Sequence, residues 1–239
     1  MGFDNYISLF QNPDFWSAWK NTLVFTGLSL AITFFIPIIQ ALFLSEVHRG
    51  RGIFTTLYLI STVIPLSVNV IIWKWIFSPN MGLANAFAAL FGQESQTWFS
   101  DPALAKLCII LPGVLGGGFS VLMYLSAIMG VGRDIYEAAD IDGCSGLRRL
   151  WHVTLPNIRF LIGIQMILGV IAAMQILDQP LQYTNGGPNG ASTSVALYAN
   201  RLMTEQMNYG KSAAAGFTLL IVVAIITAIQ LKLDQSERE

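Results

Sequence analysis

Five runs of apolar residues, each long enough to cross a lipid bilayer as a helix, constrain this chain more than any other feature. They lie at residues 22–44, 54–77, 104–129, 158–177 and 213–231, and a hydrocarbon layer of about 30 Å asks for roughly 20 residues of helix. Charge enters them only near their ends, at Lys74, Lys106 and Arg159, where a long stem can carry its head out to the lipid phosphates. With 54% hydrophobic and 11% charged residues, the chain has too little polar surface to clothe a water-facing fold. The expectation is an all-α integral membrane protein with five spans. A net charge of −1 argues against nucleic acid, which asks for a basic face. Cys108 and Cys144 fall on opposite sides of the apolar layer and read as packing thiols, with no disulfide framework and no metal cluster.

Orientation follows from the basic residues of the short loops. Eight of the 13 basic residues, Arg49, Arg51, Arg133, Arg148, Arg149, Arg159, Lys232 and Arg238, fall on one side, against Lys20, Lys74, Lys106, Arg201 and Lys211 on the other. The first side is the expected cytosol. Residues 1–21 then form an external N-terminal segment, 22–233 the membrane domain with a cytosolic loop at 130–157, and 234–239 a cytosolic tail. Because residues 1–21 contain no secretory n-region or cleavage site, the expected full arrangement has a first membrane helix upstream, giving six spans with both ends inside. Trp73, Trp75, Trp98 and Tyr183 gather near the outer boundary, where amphipathic rings settle.

Helix disturbers punctuate four spans: Pro37, Pro65, Pro112 with Gly113, Gly116, Gly117 and Gly118, and then Gly163 with Gly169. Within a bilayer such breaks survive where protein or a wet cavity takes up the freed backbone groups, so the third span is the one expected to line something. Gly113-x-x-x-Gly117 reads as a close-packing motif between membrane helices.

Between the third and fourth spans lies a polar, helix-forming insert, Glu137 to Pro156. Asp134 followed by Glu137 predicts a capping box, and Gly143 a helix stop. Ser145 is positioned to cap a second short helix, which Pro156 would separate from the next span. Ile135, Ala138, Ala139 and Asp142 share one side by their spacing, and small alanines there let another surface approach closely.

The insert also carries a pattern: Glu-Ala-Ala, three residues, Gly, nine residues, an Ile-like residue, one residue, then Leu-Pro. It is filled by Glu137, Ala138, Ala139, Gly143, Val153, Leu155 and Pro156, with Val153 in the Ile position. This resembles the loop of binding-protein-dependent ABC importer permeases. Gly2-Phe3-Asp4-Asn5-Tyr6 and Trp73-Lys74-Trp75-Ile76-Phe77 resemble segments of the carbohydrate-transporting branch, and Thr184-Asn185-Gly186-Gly187-Pro188 resembles the external Thr-x-Gly-Gly-Pro turn of its larger, maltose-permease-like subunits.

The resemblance covers nearly the whole chain and implies a type I, MetI-like transmembrane domain, five spans present and the first core helix lying upstream of Gly2. It implies a permease subunit of a sugar importer in a bacterial or archaeal cytoplasmic membrane, itself without cofactor or enzymatic activity. Its implied partners are a second permease subunit, cytosolic ATP-binding subunits, an extracytoplasmic solute-binding protein and a carbohydrate. Glu137, Ala138, Ala139, Asp142, Gly143, Leu155 and Pro156 would couple to the ATPase, and Thr184, Gly186, Gly187 and Pro188 would form the external turn.

By position, the family's sugar contacts fall at Pro112, Gly116 and Phe119 before the loop, and around Ala172, Ala173 and Ile176 after it. The maltose-type subunit has asparagines where Pro112, Ala173 and Ile176 stand, so maltose itself fits poorly. Gln175 is the nearest replacement amide, and Phe119 can stack on a pyranose; helix–helix hydrogen bonding and core packing are their plain alternatives. Asn69 and Gln165 read as structural amides.

Other signals fail. Gly210-Lys211-Ser212 imitates the end of a P-loop, but Glu205 stands where its first Gly is required. His48 and His152 form no zinc helix, and no Gly-x-Ser-x-Gly elbow is present. A membrane-embedded enzyme therefore lacks its machinery. A glycerol-phosphate or polyol importer, and a truncated non-transporting copy, are the alternatives to a sugar permease.

Overall fold

The computed structural model describes residues 3–47, 49–115 and 117–236, with the side chains of 61 and 233–236 left undescribed. Among these residues every regular element is helical. The short helix α1 (Asp4–Phe10) and the longer α2 (Pro13–Leu28) lead into α3 (Ile36–Glu46), followed by α4 (Arg51–Val63), α5 (Leu66–Ile76), α6 (Leu83–Ala89), α7 (Ala105–Ile110) and α8 (Gly118–Met129). Then come α9 (Arg133–Ile141), α10 (Gly146–Arg149), α11 (Leu155–Met174), α12 (Asp178–Thr184), α13 (Val195–Thr204) and α14 (Tyr209–Ser236).

Among the described residues three helical stretches are long and apolar enough to cross a membrane: Pro13–Glu46, Gly146–Met174 and Tyr209–Lys232, with mean hydropathies of 2.2, 1.8 and 2.4. Ala105–Val114 with Gly118–Met129 makes a fourth if that broken pair counts as one span. The expected span at 54–77 is two helices, α4 and α5, because Pro65 ends one and starts the other; proline has no N–H for the ladder and pushes its predecessor to extended backbone. Ile64 accordingly sits at φ −64°, ψ 121°.

The other breaks follow their residues too. A π turn at Ser29–Thr33 precedes Pro37, which falls in the first turn of α3, where a missing N–H costs little. Pro112 lies in a 3-10 turn, Leu111–Val114. Gly163 and Gly169, in contrast, leave α11 continuous.

The chain divides into two compact units. One comprises residues 3–32, 65–112 and 169–236 of the described chain. Its core holds Leu9, Phe15, Ala18, Val170, Met174, Val195, Leu202, Ala214, Ala215, Leu219 and Val223, beside a second cluster of Phe25, Val70, Ile109, Ile110, Ile176 and Tyr183. Asn12 caps α2 by accepting the Asp14 N–H at 2.9 Å, with Pro13 at the first helical position.

The other unit comprises the described residues of 33–64 and 113–168. Ile38, Ala41 and Leu44 of α3 pack with Val121, Tyr124, Leu125 and Ile128 of α8 and with Ile158 of α11. Glycines make that approach possible. A Cβ on Gly118 would collide with the Tyr58 carbonyl oxygen, one on Gly113 would lie 2.9 Å from Thr33 Cγ2, and one on Gly117 would lie 3.3 Å from Pro37 Cγ. Gly113 sits in the 3-10 turn and Gly117 ahead of α8 at φ +75°, so the single helix face that their spacing predicts does not form, and each glycine makes its own close approach.

Candidate functional site

The insert between α8 and α11 is a helix, a left-handed stop and a second helix. α9 ends in a Schellman motif: Gly143 at φ +70°, its N–H on the Asp140 carbonyl at 3.1 Å, and the Cys144 N–H on the Ala139 carbonyl at 2.8 Å. Gly143 is the stop the sequence predicts.

Three expectations for the insert are corrected. The capping box does not form. Gly132 is the N-cap and Asp134 the second helical residue, so Asp134 meets the helix dipole from within the first turn, and Glu137 pairs with Arg133 at 3.0 Å instead of reaching back. Ser145 precedes α10 without capping it through its side chain. Nor does Pro156 separate α10 from the next span: helix runs unbroken from Gly146 to Met174. A π turn at Leu150–Thr154 absorbs the misfit, and the Asn157 side-chain amide donates to the Val153 carbonyl at 2.7 Å.

The two alanines part company. Ala139 is buried on the underside of α9, beside half-buried Tyr136, whose hydroxyl lies 3.3 Å from Thr154 Oγ1. Ala138 faces outward with Asp134, Glu137 and Ile141, the set that 3.6-residue periodicity places together. Asp142 and Gly143 are exposed at the helix end, as is Pro156, while half-buried Leu155 packs against the α3–α8 core. Ile141 (87% exposed), Leu147 (75%) and Trp151 (66%) add an unpaired apolar surface to this polar segment, which composition alone passes over.

Thr184 to Ser194 form a second ordered feature. α12 closes on Asn185 at φ +48°, followed by Gly186 at φ +72°, a cis Gly187–Pro188 peptide and Gly190 at φ +75°. Buried hydroxyls knit the turn. Thr184 Oγ1 and Ser192 Oγ are 2.6 Å apart, Ser192 Oγ donates to the Gly187 carbonyl at 2.7 Å, and Thr193 Oγ1 donates to that of Gly186 at 3.0 Å. Ser194 caps α13 by accepting from the Leu197 N–H, and donates to the Ile176 carbonyl at 2.5 Å.

From α2, Asn21 Nδ2 donates to the carbonyls of Gly190 and Thr193, and Thr22 Oγ1 accepts the Val195 N–H at 2.9 Å. Lys106 donates to Asn21 Oδ1 at 3.2 Å and to the Ala191 carbonyl at 2.7 Å. This corrects the expectation that Lys106 reaches for lipid head groups: the Asn21 amide oxygen and the Ala191 carbonyl satisfy it first. The Ser192-Thr193-Ser194 run, three hydroxyls in a loop between apolar segments, is the only sequence signal for this network. Nearby, Tyr183 stacks on Phe99 at 5.1 Å between ring centroids. Burial pushes its hydroxyl up to about 12, and that hydroxyl has no hydrogen-bond partner among the described residues.

The residues assigned to a substrate pathway differ in their exposure. Pro112, Ala173 and Ile176 are buried, Ile176 in the cluster around Phe25 and Tyr183. Phe119 is 67% exposed, and Gly116 lies outside the described residues. Gln175 is exposed and lines an open cavity of about 730 Å³ with Leu177, Ala196, Gly216, Leu219 and Leu220. Gln165 donates to Met123 Sδ at 3.4 Å, a contact between α11 and α8. Among the described residues no cluster of His, Cys, Asp and Glu is placed to hold a metal ion.

Residues 33–239 match the family described as binding-protein-dependent transport system inner membrane component. The chain belongs to this family of ABC importer permeases. It is similar to the sulfoquinovosyl glycerol transport system permease protein SmoG of Agrobacterium fabrum, with 29% identity over 99% of this chain and 77% of the relative. The arabinooligosaccharides transport system permease protein AraP of Bacillus subtilis is 30% identical over 99% of this chain and 76% of its own. Among solved structures, a bacterial ABC transporter involved in the import of the acidic polysaccharide alginate matches with a TM-score of 0.89 and 26% identity, covering 99% of this chain and 84% of that one. The permease fold is thus that of an all-helical, MetI-like importer subunit, an inner-membrane component and not an enzyme.

Proposed function

We propose that this permease forms half of the translocation pathway of an ABC-type sugar importer and couples ATP hydrolysis in a partner chain to uptake. The observation that carries this reading is the Glu137–Pro156 segment. It presents Glu137, Ala138 and Ile141 outward on a helix that Gly143 terminates, and it stands on a helix long enough to enter the bilayer. Glu137, Asp142 and Ile141 supply polar and apolar contacts to a cytosolic ATP-binding subunit and Ala138 a close approach, while Ala139 and Leu155 seat the segment on its own chain. Gly143 and Pro156 set its shape.

In this reading the chain spans the membrane five times, α4 and α5 together making the second crossing. Residues 1–21 and the Thr184–Pro188 turn lie outside, and 130–157 and 234–239 lie in the cytosol. The Thr184, Gly186, Gly187 and Pro188 turn faces the solute-binding protein, and a second permease subunit completes the pathway. A carbohydrate cargo is supported by the names of the relatives, which transport sulfoquinovosyl glycerol and arabino-oligosaccharides. Gln175, with Phe119, Pro112, Gly116, Ala173 and Ile176 along the same segments, is the amide best exposed to meet it. When ATP closes the partner dimer, the docked segments move with it and shift the spans between inward-open and outward-open states.

The test is cysteine cross-linking in membranes holding the complete transporter. Ala138→Cys is expected to cross-link to the ATP-binding subunit and to be shielded from membrane-impermeant thiol reagents added outside. Labelling from outside, or no cross-link in any nucleotide state, defeats the assignment.

A further inference from the structure

α9 is nine residues long, below the length at which a helix holds itself in water, so its position depends on what grips its underside. Its one i,i+4 ion pair, Arg133–Glu137, has side chains 92% and 65% exposed and is screened by solvent to little effect. Arg149 is different. Its side chain is 31% exposed, with Asp140 at 57% and Glu46 at 72%, and its guanidinium places Nη1 3.3 Å from Asp140 Oδ1 on α9 and Nη2 3.8 Å from Glu46 Oε1 at the end of α3. The same group lies over the Tyr136 ring at 5.6 Å. One planar fork thus joins two residues of α9, the last residue of α3 and its own helix α10. Lysine, a point charge, cannot serve all three at once.

We infer that Arg149 is a positioning residue for coupling: it locks α9 to the end of α3, so that a displacement of the docking helix is passed to α3 instead of being lost in hinge motion. This rests on α9 being the segment that docks on the ATP-binding subunit. Arg149 belongs to α10 and is not among the residues that α9 turns outward. Its removal should loosen transmission while leaving docking in place.

The test uses the complete transporter in proteoliposomes with its binding protein, comparing wild type, Arg149→Leu, Arg149→Lys and the double variant Glu46→Gln/Asp140→Asn. Copurification of the ATP-binding subunit, ATP hydrolysis, and substrate imported per ATP hydrolysed are read together. Arg149→Leu is expected to keep the ATP-binding subunit and to hydrolyse ATP, with import per ATP falling about tenfold. Loss of both ion pairs and the ring contact is of that size. Amide exchange across residues 133–142 should speed up by a similar factor. Arg149→Lys should recover part of the coupling ratio. The double variant, which keeps the arginine and is the less disruptive change if Arg149→Leu fails to fold, should lose about threefold.

Wild-type import per ATP in Arg149→Leu, or in the double variant where Arg149→Leu does not fold, overturns the inference and leaves the docking assignment standing. Failure of Ala138→Cys to cross-link in the otherwise wild-type chain removes the docking assignment itself, and the inference with it.

Discussion

Gly186 offers the sharpest test of how the Thr184–Ser194 turn is built. An alanine there must adopt φ +72°, and its Cβ would lie 2.5 Å from Thr193 Oγ1, 3.1 Å from Arg201 Nη2 and 3.2 Å from Leu197 Cδ2. The left-handed backbone alone costs an L-residue about 1–2 kcal/mol. Pushing Thr193 aside breaks its hydrogen bond to the Gly186 carbonyl and strands a buried hydroxyl, which adds about 1–3 kcal/mol. The sum is roughly 2–5 kcal/mol. Gly190 supplies the control: at φ +75° it has nothing within 4 Å of a built Cβ, so Gly190→Ala bears only the backbone term of about 1–2 kcal/mol. At about 2–4 °C per kcal/mol for a chain of this size, Gly186→Ala should lower the melting temperature by about 10 °C and Gly190→Ala by about 4 °C. Both are to be followed by tryptophan fluorescence in lipid nanodiscs. Amide exchange at Ser192–Val195 should accelerate in the first variant far more than in the second. Equal shifts for the two would mean that side-chain crowding at Gly186 is not what holds the turn, and the account of the network would fail.

Other outcomes can be checked independently. Gly143→Pro, which cannot hold φ +70° and loses the N–H bonded to Asp140, should abolish uptake while the protein still inserts, as scored by transport assay and membrane fractionation. Gly118→Ala drives a methyl into the Tyr58 carbonyl and should reduce the amount of folded protein in the membrane several-fold, whereas Gly52→Ala, with open space around it, should leave that amount unchanged. Tyr183→Phe removes a buried hydroxyl that has no partner among the described residues and should stabilise the protein by about 1 kcal/mol in thermal melts. In the parent protein Tyr183 should resist ionisation until about pH 12, read by ultraviolet difference absorbance. A folded-state value above the usual 10.0 means that the native state binds more protons than the unfolded one through that window. Stability therefore does not vary through this group below pH 10 and falls as pH rises toward 12.

The apolar runs at 22–44, 158–177 and 213–231, the breaks near Pro37, Pro65 and Pro112, and the stop at Gly143 are legible in sequence because each depends on a residue and its near neighbours. The underside of α9 is not. Whether Ala138 or Ala139 turns inward is decided by Tyr136 meeting Thr154 and by Arg149 meeting Glu46, contacts that no periodicity in residues 133–141 contains. The fate of Lys106 was hidden for the same reason. A lysine at the edge of an apolar run ordinarily seeks water, and only the fold brings Asn21 and the Ala191 carbonyl to it. Pro156 misled in the other direction, since its disruption is spent on widening one turn at Leu150–Thr154 rather than on ending the helix.

That widened turn sets a phase. A π turn carries one residue more than the α pitch accommodates, so α10 meets α11 offset by about 100° from where a regular helix would put it. Deleting a single residue between Leu150 and Thr154 would restore the regular pitch and swing the Arg149 side chain around the axis, away from both carboxylates. The insert therefore tolerates substitution more readily than any change of length.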